Sequence, residues 1–274
     1  MPTIERSNWS VSYYWSAGSG LRLGVCTFMR QRVIQAASVP LVYVNYAGNS
    51  AGPFTDRLKS TRRAIEVRHI KSGFDLKVTY DFYGADYEYN HVWRFHEDGQ
   101  FGSAIVIQGP GDESQGRHTY NLPFRYDIDV SATNADTFQK FENGHWIDVA
   151  KEGRHKSVVA PDYEWRVIDK ASSRSVEARG RKGDDGEMWA LQYKKSEAWG
   201  SWGAAGTGVP GSPNSVPAIY DNNQSVQDTN VVLWYIAHIS AVDRVAACGP
   251  WFKLDGYPKP PKQKPTGHGH MGHM

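Results

Sequence analysis

Short runs of β-branched and aromatic residues recur along most of the chain, and clusters of Gly, Asn, Asp and Pro separate them. Examples are Val33 to Tyr46, Phe74 to Tyr83 and Val231 to Ile239. Such runs are typical of strands, because these residue types pack well on a pleated surface, and the clusters between them favour turns. Helical periodicity is scarce, and no solenoid repeat is present. We therefore predict an all-β fold, an antiparallel β-sandwich, over residues 1–257.

Local turn signals and a change in composition refine this division of the chain. Glu97-Asp98-Gly99-Gln100 and Asn143-Gly144 predict hairpin turns. Residues 258–274 are rich in Pro and Lys and then in His, a composition that predicts a disordered tail. His268, His270 and His273 in this tail could hold a soft divalent metal, but a flexible tail without a role is the simpler interpretation.

Composition excludes several classes of partner. A net charge of +2 with 22% charged residues gives no electrostatic footprint for nucleic acid or an anionic membrane. The N-terminal residues contain no signal-peptide pattern, and no apolar stretch is long enough to span a bilayer, so we predict a cytoplasmic protein. Cys26 and Cys248 match no zinc pattern and form either one disulfide or two free thiols.

One aromatic strand carries an unusual concentration of polar groups, from Tyr83 through Tyr87 to Gly99. Alternate residues of a strand share a face, so Tyr87, Tyr89 and His91 point to one side. By the same rule His118 and Tyr120 share a face, and so do Trp234 and His238. If these three strands are adjacent, Tyr87, His118 and His238 reach one cavity.

The tyrosine-bearing run resembles the cofactor-forming strand of copper amine oxidases, in which an Asn-Tyr-Asp/Glu-Tyr run carries the tyrosine that becomes topaquinone. Tyr87 stands at that position. Further segments resemble the catalytic domain of the family in the same order, between residues 9 and 257. They are Trp9 to Met29, Ala36 to Tyr46, Phe54-Thr55-Asp56, Arg117-His118-Thr119-Tyr120 with Arg125 and Asp127, Asn230 to Tyr235, and Trp251 to Leu254.

This resemblance implies a fold like that catalytic domain, and it implies roles for individual residues. Asp56 stands where the family has its catalytic base, and Tyr46 where a tyrosine hydrogen-bonds the quinone. His118 matches the first of three copper-binding histidines. The resemblance also implies a homodimer, since members of the family are dimers.

The departures from the family pattern affect the copper site most. Tyr120 stands at the second histidine position and Ala241 at the third, with His238 three residues earlier. Copper prefers several imidazole ligands, so one surviving histidine predicts weak binding, and topaquinone at Tyr87 is not expected. A rearranged site of His118, His91 and His238, with Tyr120 as an oxygen ligand, could still bind copper or another transition metal.

Two kinds of function fit these residues. The first is an enzyme acting on a small organic substrate, either as an oxidoreductase with the rearranged metal site or by metal-free acid/base chemistry. Asp56, Tyr46 and Tyr87 are then catalytic, and Tyr120 and Trp234 contact the substrate. The alternative is a non-catalytic ligand-binding or structural relative, in which the histidines are ordinary hydrogen-bonded groups. Retention of Asp56, Tyr46 and Tyr87 favours the enzyme.

Overall fold

Strands make up almost all of the regular structure in the computed structural model of the protein. The described residues are 1–16, 20–46, 54–58, 64–82, 87–108, 118–130, 135–158, 163–197, 215–241 and 244–260. The helical exceptions among them are a 3-10 turn, Lys195–Glu197, and a four-residue helix, α1 (Ser215–Ala218). Within these ranges no helix is long and apolar enough to cross a membrane. The all-β prediction is confirmed.

The strands form two ten-stranded sheets, and the pairings between described strands are antiparallel. Sheet one has the order β1 (Thr3–Arg6), β2 (Trp9–Ser16), β3 (Gly20–Phe28), β4 (Gln31–Ser38), β11 (His118–Ile128), β18 (Val231–Ala241), β17 (Glu187–Gln192) and β14 (Gly153–Lys156), with β5 (Leu41–Tyr46) beside β11 and β6 (Phe54–Arg57) beside β5. Sheet two has the order β13 (His145–Asp148), β12 (Thr137–Glu142), β15 (Trp165–Asp169), β16 (Arg174–Arg179), β20 (Trp251–Asp255), β10 (Phe101–Gln108), β9 (Tyr87–His96), β8 (Gly73–Phe82) and β7 (Glu66–Ile70), with β19 (Arg244–Cys248) beside β10.

The main hydrophobic core lies between the two sheets. Trp9 of sheet one packs against Phe95 and Phe101 of sheet two, with ring centroids 5.1 and 5.5 Å apart. A second apolar cluster covers the opposite, outer face of sheet one. Its members are Leu41, Tyr43, Trp189, Leu191, Tyr220, Val232, Trp234 and Ile236. Strand β18 is therefore buried on both faces, which explains why it is continuously apolar.

Both predicted hairpin turns are present. Asn143 and Gly144 have φ angles of 52° and 85° between β12 and β13, as a two-residue turn with positive φ requires. Gly99, with φ of 91°, closes the β9–β10 hairpin, and Asp98 Oδ1 accepts a hydrogen bond of 3.0 Å from the Gln100 amide. Cys26 is a buried free thiol. The His-rich residues 261–274 and the Cys248 side chain lie outside the described part.

Candidate functional site

Asp56 reaches from sheet one into the space between the sheets. It lies on β6 directly opposite Val42 of β5. Directly opposite residues of an antiparallel pair share a face. Val42 and Val44 belong to the inter-sheet core, so β6 presents the Asp56 carboxyl to sheet two.

Tyr89 of sheet two meets Asp56 across this space. Its hydroxyl donates a short hydrogen bond to Asp56 Oδ2, and the tyrosine is fully buried. Burial raises the pKa of the Asp56 carboxyl, and the hydrogen bond from Tyr89 offsets only part of that effect. A carboxyl group with a raised pKa and a phenol partner is suited to exchanging a proton with a substrate.

Alternation along β9 predicts that Tyr89 shares a face with Tyr87, but no role is predicted for Tyr89. Two residues along a strand return to the same face, so the tyrosine after Tyr87 was an equal candidate for contact with Asp56. The backbone of Tyr87 pairs with Phe82 on β8, but its side chain lies outside the described residues. The role of Tyr87 stays a prediction.

Buried polar groups on β8 and β9 lie beside the Asp56–Tyr89 pair. Tyr80 is directly opposite Tyr89, and its hydroxyl accepts a hydrogen bond of 3.0 Å from the Leu21 amide. The His91 ring stacks with the Tyr80 ring at 6.3 Å. Burial lowers the pKa of His91 to about 3, so the imidazole is neutral at pH 7. We use the name inter-sheet site for Asp56, Tyr80, Tyr89 and His91.

Three further residues of the predicted site come from β5 and β11, which are neighbours in sheet one. The backbones of Tyr46 and His118 are direct partners, but their side chains lie outside the described residues. Tyr120 pairs with Val44 and is buried in the inter-sheet core. Tyr120 thus faces the same interior as Asp56, and the roles predicted for Tyr46, His118 and Tyr120 stay predictions.

His238 lies on the outer face of sheet one. This position differs from the predicted one, in which His238 reaches one cavity together with Tyr87 and His118. Its direct partner on β11 is Asn121, and its Nδ1 lies 2.7 Å from Asn121 Oδ1. The partner of His118 on β18 is Ala241, three residues from His238. An odd separation along a strand reverses the face, which explains why His238 points away from the interior.

Trp234, predicted to contact substrate, also lies on the outer face. It is fully buried in the second apolar cluster, and its Nε1 donates a hydrogen bond of 3.0 Å to Glu197 Oε2. Its ring stacks with Tyr220, with centroids 6.5 Å apart. Trp234 therefore has structural partners on the side of sheet one opposite to Asp56.

The described residues do not fit the predicted rearranged metal site. His91 lies in sheet two with its Nε2 3.0 Å from Ser103 Oγ, whereas His238 lies on the outer face of sheet one. Within the described ranges, no three His, Cys, Asp or Glu side chains are grouped closely enough to hold a metal ion. We therefore derive no catalytic step that passes through copper or a quinone.

Solved structures share this fold at low sequence identity. A copper-containing benzylamine oxidase from Hansenula polymorpha superposes with a TM-score of 0.66 and 13% identity, covering 93% of this chain and 59% of that one. The Pichia pastoris lysyl oxidase superposes with a TM-score of 0.62 and 11% identity, covering 92% of this chain and 51% of that one. The Aspergillus nidulans amine oxidase superposes with a TM-score of 0.61 and 13% identity, covering 92% of this chain and 51% of that one.

The chain thus spans between half and three fifths of the length of these structures. No family model matches the sequence, and no curated protein matches it. The comparison therefore establishes a distant structural relationship: the chain has the two-sheet antiparallel fold that these amine oxidases contain.

Proposed function

We propose that this protein is an enzyme that moves a proton on a small organic substrate at the inter-sheet site. The observation that carries the proposal is the partly buried Asp56 carboxyl, whose pKa is raised and whose hydrogen-bond donor is the neutral phenol of Tyr89. Titratable groups with shifted pKa values in a desolvated setting are candidates for acid/base catalysis. Asp56 is the catalytic residue, and Tyr89 is the residue that positions it.

The chemistry requires no co-reactant. The ionised Asp56 carboxylate accepts a proton from an acidic C–H of the substrate, next to a carbonyl group, and the electron pair remains on the substrate as an enolate. Asp56 then returns the proton to the same carbon or to another atom, which results in exchange or isomerisation. The Tyr89 hydroxyl hydrogen-bonds the carboxylate when it is ionised, and the neutral His91 and Tyr80 keep the surroundings free of competing charge.

Hydrogen–deuterium exchange tests this reaction class on a panel of candidate compounds. Aldehydes, ketones and keto acids are incubated with the protein in D₂O, and loss of the C–H signal is followed by NMR. We expect the wild-type protein to catalyse exchange of at least one compound, Asp56→Asn to reduce the rate by about 10²–10⁴-fold, and Tyr89→Phe by a smaller factor. Glu88→Gln is the matched control, because residue 88 alternates to the other face of β9. Equal rates for the wild-type protein and Asp56→Asn would contradict the proposal.

Elemental analysis and intact mass separate this proposal from the oxidative one. The protein should be prepared without residues 258–274, because the histidines of that segment bind metals non-specifically. Stoichiometric copper with a quinone absorbance and a mass change at Tyr87 would favour amine oxidation instead. Absence of exchange, metal and modification together would favour the non-catalytic alternative. The homodimer and the cytoplasmic location stay predictions.

A further inference from the structure

Strand β7 is one edge of sheet two. Among the described strands it pairs with β8 alone, over the five residues from Glu66 to Ile70, with no bulge and no proline. Alternate residues of such an edge direct their N–H and C=O groups away from the sheet, where these groups can pair with another strand. The backbone of β7 can therefore accept a further antiparallel strand.

The two faces of β7 carry different side chains. Val67 lies directly opposite Leu76, a residue of the inter-sheet core, so it points inward, yet it is 39% exposed. Glu66 and Arg68 share the outer face of sheet two, and Arg68 Nη2 lies 2.7 Å from Glu66 Oε2. Both of these charged side chains are exposed. The edge thus carries an exposed apolar side chain between two opposite charges.

Symmetry decides whether such an edge can pair with a second copy of the chain. In a symmetric antiparallel pair the two-fold axis is perpendicular to the sheet, so directly opposite residues share a face. They are then identical residues or residues an even number of positions apart. The register centred on Val67 places Glu66 of each copy opposite Arg68 of the other. Opposite charges at such positions stabilise a strand pair, and like charges destabilise it.

The other three strands at the ends of the two sheets have no register of this kind among their described residues. On β14, Arg154 would lie opposite Arg154 or Lys156 of the other copy, so like charges would meet. On β1 and β13, the same symmetry never places an acidic residue opposite a basic one. Of these four edges, β7 alone is therefore complementary to itself.

We propose that this protein associates with a second copy of itself through β7, by antiparallel pairing centred on Val67. The pairing extends sheet two from one copy into the other. On the outer face, Glu66 and Arg68 of the two copies form a ring of alternating charges. On the inner face, the two Val67 side chains cover each other. The proposal does not depend on the inter-sheet site.

Two charge reversals test this register, with the association of the full chain measured by sedimentation equilibrium from micromolar to millimolar concentrations. We expect a reversible dimer of the wild-type protein. Glu66→Arg and Arg68→Glu each place like charges opposite each other, so each should raise the dimer Kd about 10-fold or more. An equimolar mixture of the two variants should form a heterodimer with a Kd within about 3-fold of the wild-type value, because every charge then meets its opposite.

The matched control is Glu142→Arg, because Glu142 also forms an exposed ion pair with a residue two positions away, Lys140 on β12. This variant should dimerise like the wild type. The mixture is itself a control for folding, since misfolded variants would not regain association.

Three results would overturn the proposal. The first is a wild-type protein that stays monomeric at every concentration. The second is a dimer whose Kd is the same in the wild type, Glu66→Arg and Arg68→Glu, because association would then use another surface. The third is a mixture of the two variants that associates no better than either variant alone.

Discussion

Asp56 is a partly buried carboxyl group on one face of sheet one, and Glu187 is a buried carboxyl group on the other. The described groups that donate to them differ in number and charge. Among the described residues, Asp56 accepts a hydrogen bond from one neutral group, the Tyr89 phenol. Glu187 accepts a 3.0 Å hydrogen bond from Trp189 Nε1 and a short one from the Arg154 guanidinium. The Nε2 atom of His238 lies 3.8 Å from Glu187 Oε2.

The consequence is an opposite shift of pKa. Burial alone raises the pKa of both carboxyl groups, but the nearby His238 ring and the hydrogen bonds from Trp189 and Arg154 reverse this effect and lower the pKa of Glu187. The pKa of Asp56 stays raised. Burial therefore does not distinguish a structural carboxylate from one suited to proton transfer; the donors around it do.

The largest effect is expected in the outer-face network, at Glu197. This residue is fully buried, lies 3.5 Å from Arg125 and accepts the Trp234 hydrogen bond. Glu197→Gln keeps the shape but removes a charge beside a buried guanidinium, so we expect a loss of about 3–5 kcal/mol of unfolding free energy. Urea denaturation measures it, with the exposed Glu142→Gln as the control. A loss no larger than that of the control would contradict this expectation.

Glu187→Gln should destabilise the protein by about 1.5–3 kcal/mol at pH 7, because the carboxylate that accepts hydrogen bonds from Arg154 and Trp189 becomes a neutral amide. The folded-state pKa of Glu187 is lowered, so its stabilising contribution is present above the unfolded value and is lost as the pH falls through the folded value. The difference between wild type and Glu187→Gln should therefore shrink on acidification. A difference that is constant with pH would refute the electrostatic explanation.

His91 should produce a steep acid dependence of stability. Its pKa is about 3 in the folded state because of burial, so it stays neutral while the unfolded chain takes up a proton below about pH 6.5. Stability from this residue is thus present above pH 6.5 and declines by about 1.4 kcal/mol per pH unit below it. His91→Gln should flatten the curve of unfolding free energy against pH between 6.5 and 4, and the exposed His145→Gln should leave it unchanged. A parallel curve for His91→Gln would contradict this.

The smallest effect, and the one of opposite sign, is expected at Asp56. Its folded-state pKa is raised, so its contribution to stability is present below the unfolded value and is lost as the pH rises through the folded value. Asp56→Asn retains an acceptor for Tyr89 and removes the buried charge. It should therefore stabilise the protein by about 0.5–1.5 kcal/mol at pH 7 while it slows exchange by about 10²–10⁴-fold. Destabilisation comparable to that of Glu187→Gln would contradict the predicted difference between the Asp56 and Glu187 carboxyl groups.

Much of the fold follows from local patterns. The Asn143-Gly144 turn is determined by two residues that tolerate positive φ, and alternation along β9 correctly places Tyr89 and His91 on one buried face. The contact between Asp56 and Tyr89 could not be predicted, because 33 residues separate them and they lie in different sheets. The spacing of Tyr89 from Tyr87 made it a candidate without showing which tyrosine reaches the carboxyl.

Sequence is enough to tell which residues of one strand share a face, because that depends only on the two-residue period of the backbone. Which face of each strand points inward depends on how the two sheets pack together. On β18 the shared face of Trp234 and His238 is the outer one, since Leu233, Tyr235 and Ala237 fill the space between the sheets. Both faces of that strand are apolar and buried, so hydrophobicity does not indicate which face points inward. Packing against the second sheet determines it.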